Sequence, residues 1–177
     1  MKIREANGDD VRQIAKVHVD TWRSTYKSIL PKEYIASKNY REQEIKWNKR
    51  LFNNDNTSEF MFVAENCDGK IVGFASADTK IGEDTKVNGR DFDSILYTLY
   101  VDGSYQQKGM GAMLVKTIIS ALKKLGAENM ILWAFKDNKA CGFYEHLGGK
   151  ICDEKVVSVD GIDIVEVAYL WDNLNEG

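Results

Sequence analysis

The segment from Ile95 to Phe135 constrains the fold more than any other part of the chain. It begins with an almost continuous apolar run, Ile95 to Val101, which predicts a strand buried on both faces of a sheet. A helix with an apolar stripe follows from about Gly109 to Leu125, and Met130 to Phe135 reads as a second buried strand. Strand, helix and strand in this order predict a parallel pair joined by a right-handed crossover.

Shorter elements surround this unit. Apolar periodicity and turn residues predict hairpins on either side of it, and hairpins require antiparallel partners. The expected fold class is therefore α/β, a mixed and mostly antiparallel sheet with helices on both faces, in one domain over residues 1–177. The other predicted elements are strands at 2–6, 60–64, 71–77, 151–159 and 164–169, a helix capped by Asp9 or Asp10 and running toward Tyr26, a helical region from Pro31 through Leu51, a long connection at 78–93, and a short helix at 138–147.

Composition excludes several classes of function. A net charge of -3 gives no reason to expect nucleic acid or an anionic membrane as partner. No apolar run approaches the roughly 18 residues of a membrane span, and the polar start lacks the apolar core of a signal peptide. Cys67, Cys141 and Cys152 are odd in number and lack C-x-x-C spacing, which favours free thiols in a reducing cytoplasm over a disulfide framework or zinc site.

A glycine-containing loop, Gln106 to Ala112, lies between the buried strand and the amphipathic helix. Glycines there allow a tight turn that points successive N–H groups at one spot, and the helix N-terminus adds partial positive charge. The loop therefore suits a phosphate or pyrophosphate. It lacks the G-x-x-x-x-G-K-[ST] string of a P-loop, and Leu114 stands where the dinucleotide fingerprint requires its third glycine.

Two motifs in the correct order carry a family resemblance. Gln106-x-x-Gly109-x-Gly111 after a strand ending in Leu-Tyr-Val resembles the acetyl-CoA signature Q/R-x-x-G-x-G/A of the GNAT acetyltransferase superfamily. The segment Asn138 to Gly149 resembles that family's second motif, N-x-x-A-x-x-F-Y-x-x-x-G-F/G. Together with segments near both ends of the chain, these residues look like a small single-domain bacterial branch of the superfamily.

The resemblance implies an acetyl-CoA cosubstrate and no metal. In this fold the pantetheine arm enters a gap where the two central parallel strands splay, pairing with backbone groups of the first strand as an added strand would. Backbone N–H groups of the glycine loop would hold the pyrophosphate, and Asn138 would contact the pantetheine. The residues so expected to line the cofactor are Leu99, Tyr100, Val101, Gln106, Gln107, Lys108, Gly109, Met110, Gly111, Ala112, Asn138, Phe143 and Tyr144, with Phe143 also packing in the core.

The implied reaction is direct attack of an amine on the thioester. Tyr144 matches the family's general acid, because a phenol of pKa about 10 can protonate a departing thiolate. Many relatives carry a glutamate base where this chain has Ile95. Glu166 on the final strands, or a chain of water, is the remaining candidate for the base. Cys141 near the thiol end is expected to be a buried apolar residue.

Three alternatives remain open at this point. A non-catalytic acyl-CoA sensor would keep the fold without the chemistry, and a protein N-terminus or lysine could replace a small-molecule amine as acceptor. His18, Trp22 and Tyr26 recur at i, i+4 and i+8, so they form either a core-facing stripe or a wall of the acceptor pocket. The oligomeric state is open between monomer and homodimer.

Overall fold

The fold is organised around one mixed sheet. The computed structural model of the protein describes residues 1–55, 57–80 and 82–175. Seven strands form the sheet in the order β1-β2-β3-β6-β7-β9-β8, and only β6 and β7 run parallel. The elements are β1 (Lys2–Glu5), α1 (Val11–Tyr26), α2 (Lys32–Ser37), α3 (Tyr40–Trp47), β2 (Phe60–Glu65), β3 (Ile71–Asp78), β4 (Lys86–Val87), β5 (Arg90–Asp91), β6 (Ile95–Val101), α4 (Met110–Lys124), β7 (Met130–Phe135), α5 (Cys141–His146), β8 (Lys150–Val159) and β9 (Ile162–Trp171).

The parallel unit β6-α4-β7 and the antiparallel hairpins confirm the predicted mixed sheet. Helix α4 buries Leu114, Ile118 and Leu122 completely against one face of the sheet. The opposite face carries α1, whose Val11, Ile14 and Val17 share a core cluster with β2 and β3. Among the helices in the described part of the chain, none is long and apolar enough to span a membrane.

Asp10 occupies the N-cap position of α1, as predicted, but its side chain makes no capping hydrogen bond to that helix. A single 3-10 turn, Gly8–Asp10, precedes the helix, and the Asn7 side chain caps that turn by accepting the Asp9 N–H. The Asp10 side chain accepts the Asn7 N–H at 3.0 Å, which completes a capping box around this turn, and Arg4 donates to its two oxygens at 2.7 and 2.8 Å. A two-pronged, charge-assisted pair outweighs a single capping bond, so the carboxylate turns toward β1.

The predicted helical region after Pro31 divides into α2 and α3. Lys38 adopts an extended conformation, and Asn39 begins α3 by accepting the Glu42 N–H through its side chain. A single π-helical turn, Asn48–Phe52, follows α3. Asparagine is strongly preferred at the N-cap position, so a new helix begins here although the apolar periodicity continues through the break.

The central strands splay apart, which corrects the expectation that β6 is buried on both faces. Ile95 and Ile131 form the one residue pair recorded between β6 and β7. On its other side, β6 carries a bulge, because Ser76 pairs with Thr98 but the next residue of β3 pairs with Leu96. The residues from Tyr97 to Tyr100 are consequently only half-buried. A bulge increases strand twist and bending, so β6 diverges from β7 and leaves a gap.

The connection at 78–93 is more ordered than expected, with position 81 outside the described residues. It contains the small hairpin β4–β5, which buries Val87 and Phe92 beside Ile95. Two-residue strands are too short for hydrophobic alternation to reveal them. The final hairpin turns as predicted at Asp160 and Gly161, both with positive φ.

Candidate active site

The open edge of β6 forms one wall of the site. The carbonyl of Val101 accepts hydrogen bonds from Gln106 Nε2 at 2.8 Å and from Thr21 Oγ1 at 3.4 Å. Gln106 therefore folds back to anchor the end of the strand. Leu99 lies one pleat earlier, where the recorded register gives β6 no partner in β7. Unpaired backbone groups at this position suit an extended ligand that adds to the strand.

The glycine loop presents an anion cradle at the start of α4. Gln107 has φ +58° and Gly109 has φ +79°, so two left-handed residues turn the chain immediately before the helix. The first backbone N–H groups of α4 have no partner within the helix and point toward this turn. Lys108 is exposed and donates from Nζ to the Ser104 carbonyl at 2.8 Å. These features fit a pyrophosphate group.

The side chains of two expected cofactor residues, Met110 and Phe143, pack in the core. Met110 is 2% exposed and belongs to the core under α4. A Cβ added at Gly111 would lie 3.0 Å from Phe143 Cζ, so the Phe143 ring rests directly on the first turn of α4. This contact fixes α5 against the glycine loop. Ala112, on the same turn, is partly exposed.

Asn138 follows β7 at the far side of the gap. Its Oδ1 accepts the Ala140 N–H at 2.9 Å, and its backbone N–H donates to the Phe135 carbonyl at 2.9 Å. Within the described ranges, no hydrogen bond is recorded for its Nδ2 group, although the residue is only 8% exposed. A fixed amide with a spare donor fits a contact to a carbonyl oxygen of the pantetheine arm.

Tyr144 projects from α5 into the interior. It is 6% exposed, and its ring lies 5.6 Å from that of Phe143 and 5.5 Å from that of Tyr169 between centroids. None of the hydrogen bonds among the described residues involves its hydroxyl. Burial, followed by the nearby Tyr26 and Cys141, raises the pKa of Tyr144 well above its ordinary value. The phenol therefore remains protonated, as a proton donor must.

Glu166 lies on β9 opposite Phe135 and Lys155. It is partly buried, with Lys155 Nζ 3.7 Å from its Oε2. Burial raises the pKa of Glu166 above the usual glutamate value, and Lys155 opposes the shift. Paired residues share a face of the sheet, and Phe135 contacts Tyr26 of α1, so Glu166 lies on the α1 side.

Two roles are expected for the aromatic residues of the α1 stripe, packing in the core or lining the acceptor pocket, and His18 and Tyr26 differ in this respect. His18 stacks on Tyr100 with 4.5 Å between ring centroids, and its Nδ1 accepts a hydrogen bond from Trp47 Nε1 at 3.1 Å. Burial lowers the pKa of His18 to about 4, so the ring is neutral and packs as a core group. Tyr26 instead contacts Phe135 at the end of β7, with 5.3 Å between ring centroids. Tyr100 directs its ring at α1, which leaves only its backbone for a cofactor.

Sequence reasoning missed a polar cluster on the α1 side, formed by Arg50, Glu59, Asp78 and Tyr97. Arg50 Nε pairs with Glu59 Oε2, and its guanidinium lies 5.0 Å from the Tyr97 ring centroid. Asp78 ends β3 directly opposite Ile95. Ile95 itself sits in an apolar cluster. The local pattern offers little signal for this cluster, since its members come from four segments that are distant in sequence.

Comparison with known proteins agrees with this geometry. The model of the acetyltransferase (GNAT) family matches residues 17–149. An uncharacterized N-acetyltransferase, YuaI of Bacillus subtilis, is 32% identical over 98% of this chain and 94% of its own length. The spermidine N(1)-acetyltransferase of Thermoplasma acidophilum is 22% identical over 93% of this chain and 94% of its own. The crystal structure of the PaiA N-acetyltransferase of Thermoplasma acidophilum in complex with coenzyme A is similar in fold, with a TM-score of 0.67, 24% identity, and coverage of 94% of this chain and 96% of that one.

Proposed function

Because the chain belongs to the acetyltransferase (GNAT) family, we propose that the gap between β6 and β7 holds acetyl-CoA and that an amine attacks its thioester there. As a member of this family the protein is an acyltransferase that transfers an acetyl group to an amine. We take residues 1–177 as one such domain. The observation that carries the placement is the splay of β6 from β7 beside a left-handed glycine turn.

The chain's own residues suggest how the cosubstrate is held. Backbone groups of Leu99 pair with the pantetheine arm, and the Nδ2 of Asn138 donates to it from the β7 side. Backbone N–H groups from Lys108 to Ala112 bind the pyrophosphate with the help of the α4 dipole. Gln106 acts through the Val101 carbonyl, which it holds at the mouth of the gap.

Two proton transfers complete the proposed reaction. An alkylammonium must first lose a proton, and Glu166 accepts it, directly or through water, on the acceptor side of the sheet. The free amine then forms the C–N bond while the C–S bond breaks. Tyr144 gives its proton to the departing thiolate and recovers one from the newly acylated nitrogen. One proton is released for each acetyl group transferred.

The acceptor in this proposal is a primary amine of a small molecule or peptide. The relative from Thermoplasma acidophilum is named for spermidine, which makes small cationic amines a reasonable first group to assay. Tyr26, which contacts Phe135 at the end of β7, would border the acceptor.

An amine panel assayed for free thiol tests the proposal. Amino acids, polyamines, aminoglycosides and short peptides are each incubated with acetyl-CoA and the protein, and coenzyme A release is followed with a chromogenic thiol reagent. Amine-dependent release is expected with at least one class. Tight acetyl-CoA binding without release for any amine would instead favour the acyl-CoA sensor.

A further inference from the structure

Asp78 is a buried carboxylate with no ionic partner in the described structure. It is 7% exposed, and its Oδ1 accepts the Lys80 N–H at 2.9 Å. The other two carboxylates buried among the residues described differ, because Asp10 pairs with Arg4 and Glu59 pairs with Arg50. Burying an unpaired charge is costly unless a bound group of opposite charge compensates for it.

Glu59, in the same cluster, has a second unsatisfied group. Its side chain is 4% exposed, and while Oε2 pairs with Arg50, its Oε1 is buried with no hydrogen-bond partner of ordinary geometry among the residues described. The register of β2 and β3 pairs Phe60 with Ala77, so Glu59 and Asp78, the next residue on each strand, lie side by side. Burial raises the pKa of Glu59, while the Arg50 charge and hydrogen bonds from Ser76 and Arg50 oppose the shift. Two carboxylates beside one guanidinium leave the cluster with an excess of negative charge. Oxygen acceptors and negative charge together favour an ammonium ligand.

The cluster borders the gap at its closed end. Asp78 pairs across the strands with Ile95, and side chains of paired residues lie on the same face about 5 Å apart. Ile95 is also where β6 and β7 still pair. The bulge at Tyr97 and Thr98, where the gap begins, lies two to three residues further along β6. At a strand rise of about 3.3 Å per residue, an ammonium at Asp78 is about 7 to 10 Å from an amine at the start of the gap.

We propose that Asp78 and Glu59 bind a second ammonium group of the acceptor, so that the preferred acceptors are extended alkyl amines carrying at least two positive charges. This inference rests on the proposed acetyl transfer in the gap and adds the substrate class. In the residue pair that Asp78 of β3 forms with Ile95 of β6, only Asp78 is charged. Arg50 holds Glu59 in place and, being already paired, leaves Oε1 for the ligand.

Matched acceptors test the charge requirement. Hexamethylenediamine and 6-amino-1-hexanol have the same length and the same reacting amine, but only the diamine carries a second ammonium. In steady-state thiol release, the Michaelis constant should be about tenfold or more lower for the diamine than for the amino alcohol, the scale of one charge-assisted hydrogen bond. Trimethylenediamine, which is too short to span the distance, should lose this advantage.

Asp78→Asn keeps the Oδ1 acceptor for Lys80 and removes the charge. It should lower the preference for hexamethylenediamine over the amino alcohol about tenfold, read as the ratio of their Michaelis constants. Asp91→Asn, the same substitution on the exposed strand β5, is the matched control and should change neither acceptor. Adding Ile95→Asp to Asp78→Asn returns a carboxylate across the strand pair and should restore part of the diamine preference.

The outcomes separate this inference from the proposed function. Thiol release with neither acceptor would refute acetyl transfer itself. Equal Michaelis constants for the diamine and the amino alcohol in the native protein, or equal effects of Asp78→Asn and Asp91→Asn, would overturn the ammonium site alone. If Asp78→Asn does not fold, Glu59→Gln must weaken the diamine selectively, and an unchanged ratio in that variant rejects the proposal.

Discussion

Replacing Tyr144 with phenylalanine isolates the proposed general acid. The variant keeps the ring and its contacts with Phe143 and Tyr169, and removes only the hydroxyl. We expect kcat to fall about 10²-fold, which corresponds to about 2.7 kcal/mol of transition-state stabilisation. Because burial raises the pKa of Tyr144, the phenol is protonated throughout the neutral range. The fall in kcat should therefore be the same at every pH in that range, and the inflection of the pH–rate profile should not move.

The same geometry predicts little change in stability. No hydrogen bond to the Tyr144 hydroxyl is recorded in the described residues, so its removal leaves no partner unsatisfied. The free energy of unfolding should change by no more than about 0.5 kcal/mol. For a chain of 177 residues this corresponds to a shift of about 1 to 2 °C in Tm. The acetyl-CoA dissociation constant should stay the same, since the hydroxyl is assigned to the departing sulfur only.

Tyr169→Phe is a matched control with the opposite pattern. Tyr169 neighbours Tyr144, but its hydroxyl donates to Glu145 Oε1 at 3.3 Å. That variant should lose up to about 1 kcal/mol of stability and keep its turnover. Single-turnover thiol release and thermal unfolding measure both quantities. Full turnover in Tyr144→Phe, or an equal loss in both variants, would refute the general-acid assignment and leave Tyr144 as a packing residue.

Three further predictions concern the loop, the base and the α5 turn. Gly109→Val should abolish the rise in Tm that acetyl-CoA causes, because φ of +79° is strained for a β-branched residue. In the native protein, a larger rise in Tm with NAD than with acetyl-CoA would contradict the assignment of this loop to acetyl-CoA. Since burial raises the pKa of Glu166 and a base acts when deprotonated, the rate should rise with pH through an inflection above the usual glutamate value. Two acceptors of different pKa should share this inflection, and Glu166→Gln should remove it, whereas an inflection that follows the acceptor would indicate a water relay. Gly149→Ala should lower the free energy of unfolding by about 1 to 3 kcal/mol in chemical denaturation, because its Cβ would lie 2.8 Å from Trp171 Cζ2. An unchanged free energy of unfolding would show that the Trp171 ring moves aside at no cost.

The sequence by itself determined the elements that depend on local signals. The apolar run of β6, the helical stripe of α4 and the glycines at 109 and 126 predicted the parallel unit and the turns at both ends of its helix almost to the residue. Periodicity and turn chemistry act within a few residues, so one sequence is sufficient to read them. The motif at Asn138 to Gly149 also placed Tyr144 on the correct short helix.

The tertiary structure decided which groups meet across the sheet. The splay of β6 from β7 arises from a bulge against β3, and the partnership of Asp78 with Ile95 is a matter of strand register. Glu59 meets Arg50 only because the π-helical turn after α3 lies beside the start of β2. At the start of α1, the Asp10 carboxylate likewise pairs with Arg4 of β1, a partner that the local sequence does not reveal. These pairings join residues distant in sequence, and their energies depend on burial and geometry that no local pattern contains.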